Sequence, residues 1–243
     1  MRLDKFLSEF NIGTRKQIKE ILKNGRCSVN GLVALRPDLH VDENSDTVKL
    51  DGEVLSYKKF RYYLINKPAG VVSATRDGKN RTVLDLLDGE NLRDVSPCGR
   101  LDADTEGLLI LTNDGELIHR LLSPKRHVDK VYEVHLEKEP DDIAIQKLES
   151  GVDIGDLRED GSKDLTLPAH VENAGTDPDG RAVILLTIHE GRFHQVKRMM
   201  ESVGNKVLFL RRIQMGPLKL DEELLPGQYR ELTDEEISIL KTS

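Results

Sequence analysis

Apolar positions recur at helical spacing from the start of the chain. Leu3, Phe6, Leu7 and Phe10 share one face of a first helix. Asn11-Ile12-Gly13 breaks it, and Thr14-x-x-Gln17 opens a second helix with a capping box, each side chain satisfying an amide the helix leaves unpaired. Ile18, Ile21 and Leu22 form the buried stripe of this helix. Arg15, Lys16, Lys19 and Lys23 fall largely off that stripe, and Gly25 caps the C-terminal end. The period then changes. Asn30-Gly31 lies between two short apolar runs and predicts a hairpin, because both turn residues accept positive φ. A strand near 47–50, an Asp51-Gly52 turn and Val54-Leu55 close the unit.

The rest of the chain alternates strand-like and helix-like windows. Strands are expected over 61–65, 108–112, 131–136, 183–188 and 207–210. In the third of these, Val131, Glu133 and His135 face one way and Tyr132, Val134 and Leu136 the other. Helical spacing joins Leu117, Ile118, Leu121 and Leu122, and again Val196, Met199, Met200 and Val203, with Gly204 at the end. Thr233-x-x-Glu236 caps a last helix. Strands joined by hairpins and a few helices predict an α+β chain. Its expected parts are a small unit over 1–56, a linker over 57–60, and a larger unit over 61–243 with a mixed, mainly antiparallel sheet and flanking helices.

Charge sharpens this division. The chain has 243 residues and a net charge of −7, which opposes loose binding of polyanions. Yet residues 1–30 carry seven basic groups against three acidic ones, the last of the seven being Arg26. Residues 187–216 carry Arg192, Lys197, Arg198, Lys206, Arg211 and Arg212 against Glu190 and Glu201. Two basic patches on an acidic body predict a focused anion site. Cys27 and Cys98 form no C-x-x-C site, and no apolar run reaches the ~18 residues of a membrane span. The reading is a reduced cytoplasmic chain with no membrane partner.

The densest chemistry lies in Gly99-Arg100-Leu101-Asp102-Ala103-Asp104-Thr105-Glu106-Gly107-Leu108-Leu109. Taken alone, its acids suit a solvated loop. Their alternation also raises a metal site, but no glycine stands where a calcium loop needs one and no glutamate closes it. No phosphate-binding glycine loop follows a predicted strand, and the seven histidines show no metal-ligand spacing with the cysteines. A tyrosine on a strand such as Tyr132 is more often core than chemistry, and His194 more often caps or packs.

The segment 99–109 nevertheless resembles the catalytic motif of the RsuA-type pseudouridine synthases, G-R-L-D-x-D-T-x-G-L-L. Lys130-Val131-Tyr132 resembles their K-x-Y element, and Gly191-Arg192-Phe193-His194-Gln195-Val196-Lys197-Arg198-Met199 their G-R-[YF]-H-Q-V-K-R-M element. Asn66-Lys67-Pro68-Ala69-Gly70, Lys163-Asp164-Leu165-Thr166 and Pro226-Gly227-Gln228-Tyr229-Arg230 match further family motifs. Arg2-Leu3-Asp4-Lys5-Phe6-Leu7, the basic second helix and the Asn30-Gly31 turn resemble an S4 domain, a small RNA-binding module. The likeness spans essentially the whole chain.

The resemblance implies isomerisation of one uridine in ribosomal RNA to pseudouridine, without cofactor or metal. The Lys163–Thr166 motif and the chain length resemble most the members acting on small-subunit (16S) RNA. It implies Asp102 as the catalytic carboxylate, Lys197 as the cation that keeps it charged, and Tyr132 as a flat surface for the target base. Arg100 would fill the stack that base leaves. Arg15, Lys16, Lys19, Lys23 and Arg26 would hold phosphates, and Lys130, Arg192, His194, Gln195 and Arg198 would contact RNA near the site. The expected partner is 16S ribosomal RNA, free or in a partly assembled small subunit, and the expected state is a monomer. Three rivals stand beside this: a synthase acting on 23S RNA, a non-catalytic ribosome-assembly factor, and a glycoside-type hydrolase with Asp104 as second carboxylate.

Overall fold

The computed structural model describes residues 1–10, 12–88, 92 and 94–242. It divides into two compact units, one of Met1–Phe60 and one of Arg61–Asp88 with Asp94–Ser243. Among the described residues, no helix is long and apolar enough to cross a membrane.

The first unit comprises α1 (Leu3–Ser8), α2 (Arg15–Lys23) and four short strands. These are β1 (Cys27–Val29), β2 (Leu32–Val33), β3 (Val48–Leu50) and β4 (Glu53–Val54), in the order β2-β1-β3-β4. The capping box of α2 forms as its sequence dictates: the Thr14 amide donates to Gln17 Oε1 at 2.7 Å and the Gln17 amide to Thr14 Oγ1 at 3.4 Å. Ile18 and Leu22 join Leu3, Phe6, Leu7, Cys27 and Val48 in one core. The Tyr57 ring lies 5.5 Å from that of Phe6. Apolar packing in this unit therefore reaches past residue 56, into the segment expected to be linker.

The larger unit is built on a nine-stranded sheet. In chain order its elements are β5 (Tyr62–Lys67), β6 (Ser96–Pro97), β7 (Glu106–Thr112), α3 (Gly115–Leu122), β8 (Lys130–Leu136) and α4 (Asp142–Ser150). They continue with β9 (His170–Thr176), β10 (Ala182–Ile188), α5 (Gln195–Ser202), β11 (Val207–Met215), β12 (Leu218–Lys219), β13 (Tyr229–Glu231) and α6 (Asp234–Thr242). The strand order is β13-β5-β7-β11-β8-β10-β9, with β6 on β7 and β12 on β11. The β7–β11 pair is parallel and the other pairs are antiparallel.

This is the mixed, mainly antiparallel sheet that the patterning predicts. Burial along β8 alternates, with Tyr132, Val134 and Leu136 inside. All six residues of β5 are buried, so that strand reads as a continuous apolar run ended by Asn66-Lys67. Tyr62, Leu64, Leu108, Ile110, Leu117, Leu121, Met215 and Leu240 form a core cluster. Each leucine fully buried there contributes roughly 2 kcal/mol of transfer free energy. Gly107 has φ +101°, and a Cβ on it would lie 2.3 Å from the Arg212 carbonyl oxygen. Only glycine lets β7 and β11 approach at this point. Not expected from the sequence were α4, β9 and the short strands β6, β12 and β13. The apolar positions of α4 are few, and β9 is an almost wholly exposed strand with no alternation to betray it.

Candidate active site

Three segments meet at one cleft of about 360 Å³, lined by residues 99–102, Lys130, Tyr132, 191–196 and Arg212 among others. The first is the loop that runs into β7 and carries Asp102. Its backbone is fixed from below. Ser73 Oγ donates to the Leu101 carbonyl at 2.8 Å and accepts from the Leu101 amide at 3.0 Å. The Gly70 amide donates to the Ala103 carbonyl at 2.7 Å. Lys67, at the end of β5, is fully buried. Its ammonium donates to the carbonyls of Pro68, Ala103 and Thr105 at 3.0, 3.2 and 2.8 Å. Burial pulls Lys67 down to about 8, against the raising pull of Asp104, Glu106 and Asp102. The loop geometry thus rests on a buried cation to which sequence reasoning gave no role. Its signal was present: a lysine closing an apolar strand immediately before Pro68-Ala69-Gly70.

The second segment is the start of α5. His194 sits at φ +48°, a left-handed conformation uncommon outside glycine, asparagine and aspartate. This turn lays its ring on Phe193, with centroids 3.8 Å apart, and puts Nε2 3.6 Å from Asp102 Oδ1. One turn into the helix, Lys197 Nζ lies 3.3 Å from Asp102 Oδ2 and 2.6 Å from Asp104 Oδ1. Burial alone would lower Lys197, but the hydrogen bond to Asp104 and the charges of Asp102 and Asp104 hold it above the usual lysine range. The same hydrogen bond holds Asp104 below the usual carboxylate range. Asp104 is 73% exposed, whereas Asp102 is 24% exposed and lines the cleft.

The third segment is β8, which offers Lys130 and Tyr132 from one face. Tyr132 is 7% exposed and lines the cleft with Asp102. Lys130 is buried, with Nζ donating to the Val128 carbonyl at 2.9 Å. Burial, and then the charge of Arg212, pull it down to about 8.

The structure therefore brings Asp102, Tyr132, Lys197, Arg100, Lys130, His194 and Gln195 to one place, with Arg100 exposed at the cleft. Others from the same motif are engaged inside the fold. Arg192 donates to Glu190 Oε2 at 2.9 Å, to the Asp164 carbonyl at 2.7 Å and to the Leu165 carbonyl at 2.9 Å, and pairs with Asp156 and Asp164. Arg198 pairs with Asp156 at 2.5 Å and bonds the carbonyls of Ile154 and Phe193. Gln195 is buried, donates to Glu190 Oε1 and accepts from the Arg192 amide, each at 2.9 Å. Arg192, Gln195 and Arg198 thus spend these polar groups on acids and carbonyls of the chain itself, while Arg192 and Gln195 also line the cleft. In the first unit, Arg15, Lys16, Lys19 and Lys23 are exposed on α2 as the stripe predicts. Arg26 forms a bidentate pair with Asp51, at 2.8 and 2.5 Å.

Comparison with known proteins decides what this cleft belongs to. The family model for RNA pseudouridylate synthases matches residues 61–202, and that for the S4 domain matches residues 1–46. The chain belongs to the RNA pseudouridylate synthase family. It is a pseudouridine synthase, an isomerase, with an S4 domain at its N-terminus. This synthase is 49% identical over 241 residues to the uncharacterized RNA pseudouridine synthase YtzG of Bacillus subtilis (strain 168), covering 99% of this chain and 98% of that one. It is 41% identical to the ribosomal small subunit pseudouridine synthase A of Vibrio cholerae, over 98% of each chain. With the Escherichia coli (strain K12) protein of the same name the identity is 39%, over 98% of this chain and 99% of that one. A crystal structure of a pseudouridylate synthase superposes with a TM-score of 0.64 at 35% identity, over 99% of both chains.

Proposed function

We propose that this synthase converts a uridine of small-subunit ribosomal RNA to pseudouridine, with Asp102 as its catalytic carboxylate. The observation that carries the reading is the Asp102–Lys197 pair at 3.3 Å, set in a cleft that Tyr132 also lines. The names of relatives that match along nearly the whole chain support the choice of RNA.

The chemistry follows from what the cleft offers. Isomerisation breaks the C1′–N1 bond of uridine, turns the base and joins C1′ to C5. Nothing is oxidised or consumed. An ionised carboxylate can bond to the electron-poor C1′, or remove the C2′ proton and later the C5 proton. Lys197, held above the usual lysine range, stays protonated 3.3 Å from the Asp102 carboxylate. Lys67 and Ser73 fix the loop, so the carboxylate is held before substrate arrives.

A base in folded RNA must leave its stack to enter a cleft of about 360 Å³. Arg100, exposed at the cleft, can fill the gap with a planar cation, and Tyr132 can face the extruded ring. The exposed cations of α2 hold phosphates and read no base. The chain works as a monomer in the cytoplasm, on ribosomal RNA free or in a partly assembled small subunit.

Release of tritium from RNA labelled at uridine C5 tests the activity, and mapping of modified sites in cells lacking the gene tests the substrate. Loss of one pseudouridine from small-subunit RNA is the expected result. Loss from large-subunit RNA, or from none, overturns the choice of substrate.

A further inference from the structure

The cleft has a second charged feature, apart from the Asp102–Lys197 pair. Lys130 from β8 and Arg212 from β11 both line it, at 6% and 2% exposure. Arg212 Nε donates to the Leu108 carbonyl at 2.8 Å, and its Nη2 is buried with no hydrogen-bond partner among the described residues. The Lys130 ammonium carries three donors, and the carbonyl of Val128 takes one of them at 2.9 Å.

The charges of Asp129 and Glu190 raise Lys130, but less than burial and Arg212 lower it, and neither acid bonds to either cation among the described residues. Asp129 lies 3.0 Å from His189 Nδ1. Glu190 is held by Arg192 and Gln195. Cys98 is buried and its thiol is pushed up to about 12, so it stays neutral. Two like charges thus share one buried floor, and the charge of Arg212 adds to burial in lowering Lys130. Such a pair, with donors unsatisfied, is arranged for a negative group that enters the cleft. Backbone phosphates are met at a surface, and these two side chains are not at one.

We propose that Lys130 and Arg212 form a cationic floor that takes up the negative charge of the uracil ring as its glycosidic bond breaks. This rests on the reading of the cleft given above. When C1′–N1 breaks, its electron pair stays on N1 and spreads to O2 and O4. The deficit at C1′ is met by a bond to the Asp102 carboxylate, or by loss of the C2′ proton, which returns when C5 adds. The anion is held by the two cations while the ring turns. C5 then bonds to C1′, releasing the Asp102 carboxylate where it had bonded there; C5 loses its proton, N1 gains one, and the base is again neutral. Atoms and electrons balance with no added reactant. The two cations meet charge that exists only after bond breaking, so they favour the transition state over bound uridine. They also explain how a detached base is retained.

The test compares two substrates in single-turnover reactions, one with the target uridine and one with 5-fluorouridine. Fluorine stabilises the uracil anion, so bond breaking needs the cations less. Consumption of the nucleoside is read after nuclease digestion. Lys130→Met and Arg212→Met should each slow uridine consumption about 100-fold, a deficit that falls to about tenfold or less on 5-fluorouridine. RNA affinity should stay within about threefold, and Arg212→Lys should recover part of the rate. Asp102→Asn serves as the control, slow on both substrates. Equal deficits on both substrates would mark a merely structural role and overturn the proposal, as would undiminished rates. If Arg212→Met does not fold, Lys130→Met decides alone. A wild type active only on large-subunit RNA would contradict the choice of substrate and not the floor, and the comparison would then be run on that RNA. A wild type active on no RNA overturns both.

Discussion

Two clusters of the same charge types flank the start of α5, and they differ in how far they are satisfied. On one side, Arg192 and Arg198 face Asp156, Asp164 and Glu190, and backbone carbonyls take further donors. On the other, one ammonium, Lys197, serves two carboxylates, and the Asp102 carboxylate lines an open cleft. Both clusters come from residues a few positions apart in one motif. The first is a closed network, so its worth is structural. The second keeps an acid in reach of a ligand, which is what a reaction needs. Saturation, more than residue type, separates a brace from a site.

That comparison can be broken or sharpened by substitution. The largest effect is expected at the open cluster. Lys197→Met should lower the single-turnover rate by about 10³-fold, near 4 kcal/mol, with the fold intact by circular dichroism. Lys67→Met comes next, because it strips the donor from three carbonyls beneath the Asp102 loop. It should lower unfolding stability by about 3 kcal/mol at neutral pH. Lys67 sheds its proton near pH 8 in the fold and near its ordinary 10.5 in the unfolded chain. Between those values the unfolded chain binds more protons, so this group's contribution to stability rises with pH. Denaturant titrations at pH 7.5 and 9.5 should therefore show the gap between wild type and Lys67→Met widening, by up to about 1.4 kcal/mol per pH unit.

At the closed cluster, Arg192→Ala should cost about 2 kcal/mol of stability. The salt dependence of RNA binding should not change, since Asp156, Asp164 and Glu190 already pair with this guanidinium. A lower salt slope would return Arg192 to the phosphate contacts. The smallest effect is expected in the first unit. Joint replacement of Arg15, Lys16 and Lys19 by Ala should weaken RNA binding about tenfold and flatten its salt dependence. The rate at saturating RNA should be untouched, and an unchanged affinity would remove α2 from the interface.

Much of this was legible in the sequence because local rules and burial agreed. The Thr14–Gln17 capping box, the Ile18-Ile21-Leu22 stripe and the alternation along β8 follow from side-chain spacing alone. The motif around Asp102 pointed to the cleft. What escaped were charged groups inside. The strand expected over 207–210 stops short of Arg211-Arg212, but β11 continues to Met215 with Arg212 buried. Extending the alternation from Leu210 places Arg212 on the inner face, so a signal existed and charge masked it. Lys67 was hidden for the same reason. That Arg192 and Arg198 pair with the chain itself depended on carboxylates some 30 residues earlier, a long-range fact that spacing does not encode.

The most direct test sets Asp102→Asn against Asp104→Asn in one single-turnover assay of pseudouridine formation. Asp104 makes the shorter contact with Lys197 but is mostly exposed, and Asp102 faces the cleft. The prediction is no detectable product with the first variant, at wild-type RNA affinity, and a rate within about tenfold of wild type with the second. Product at an undiminished rate from Asp102→Asn would contradict the account.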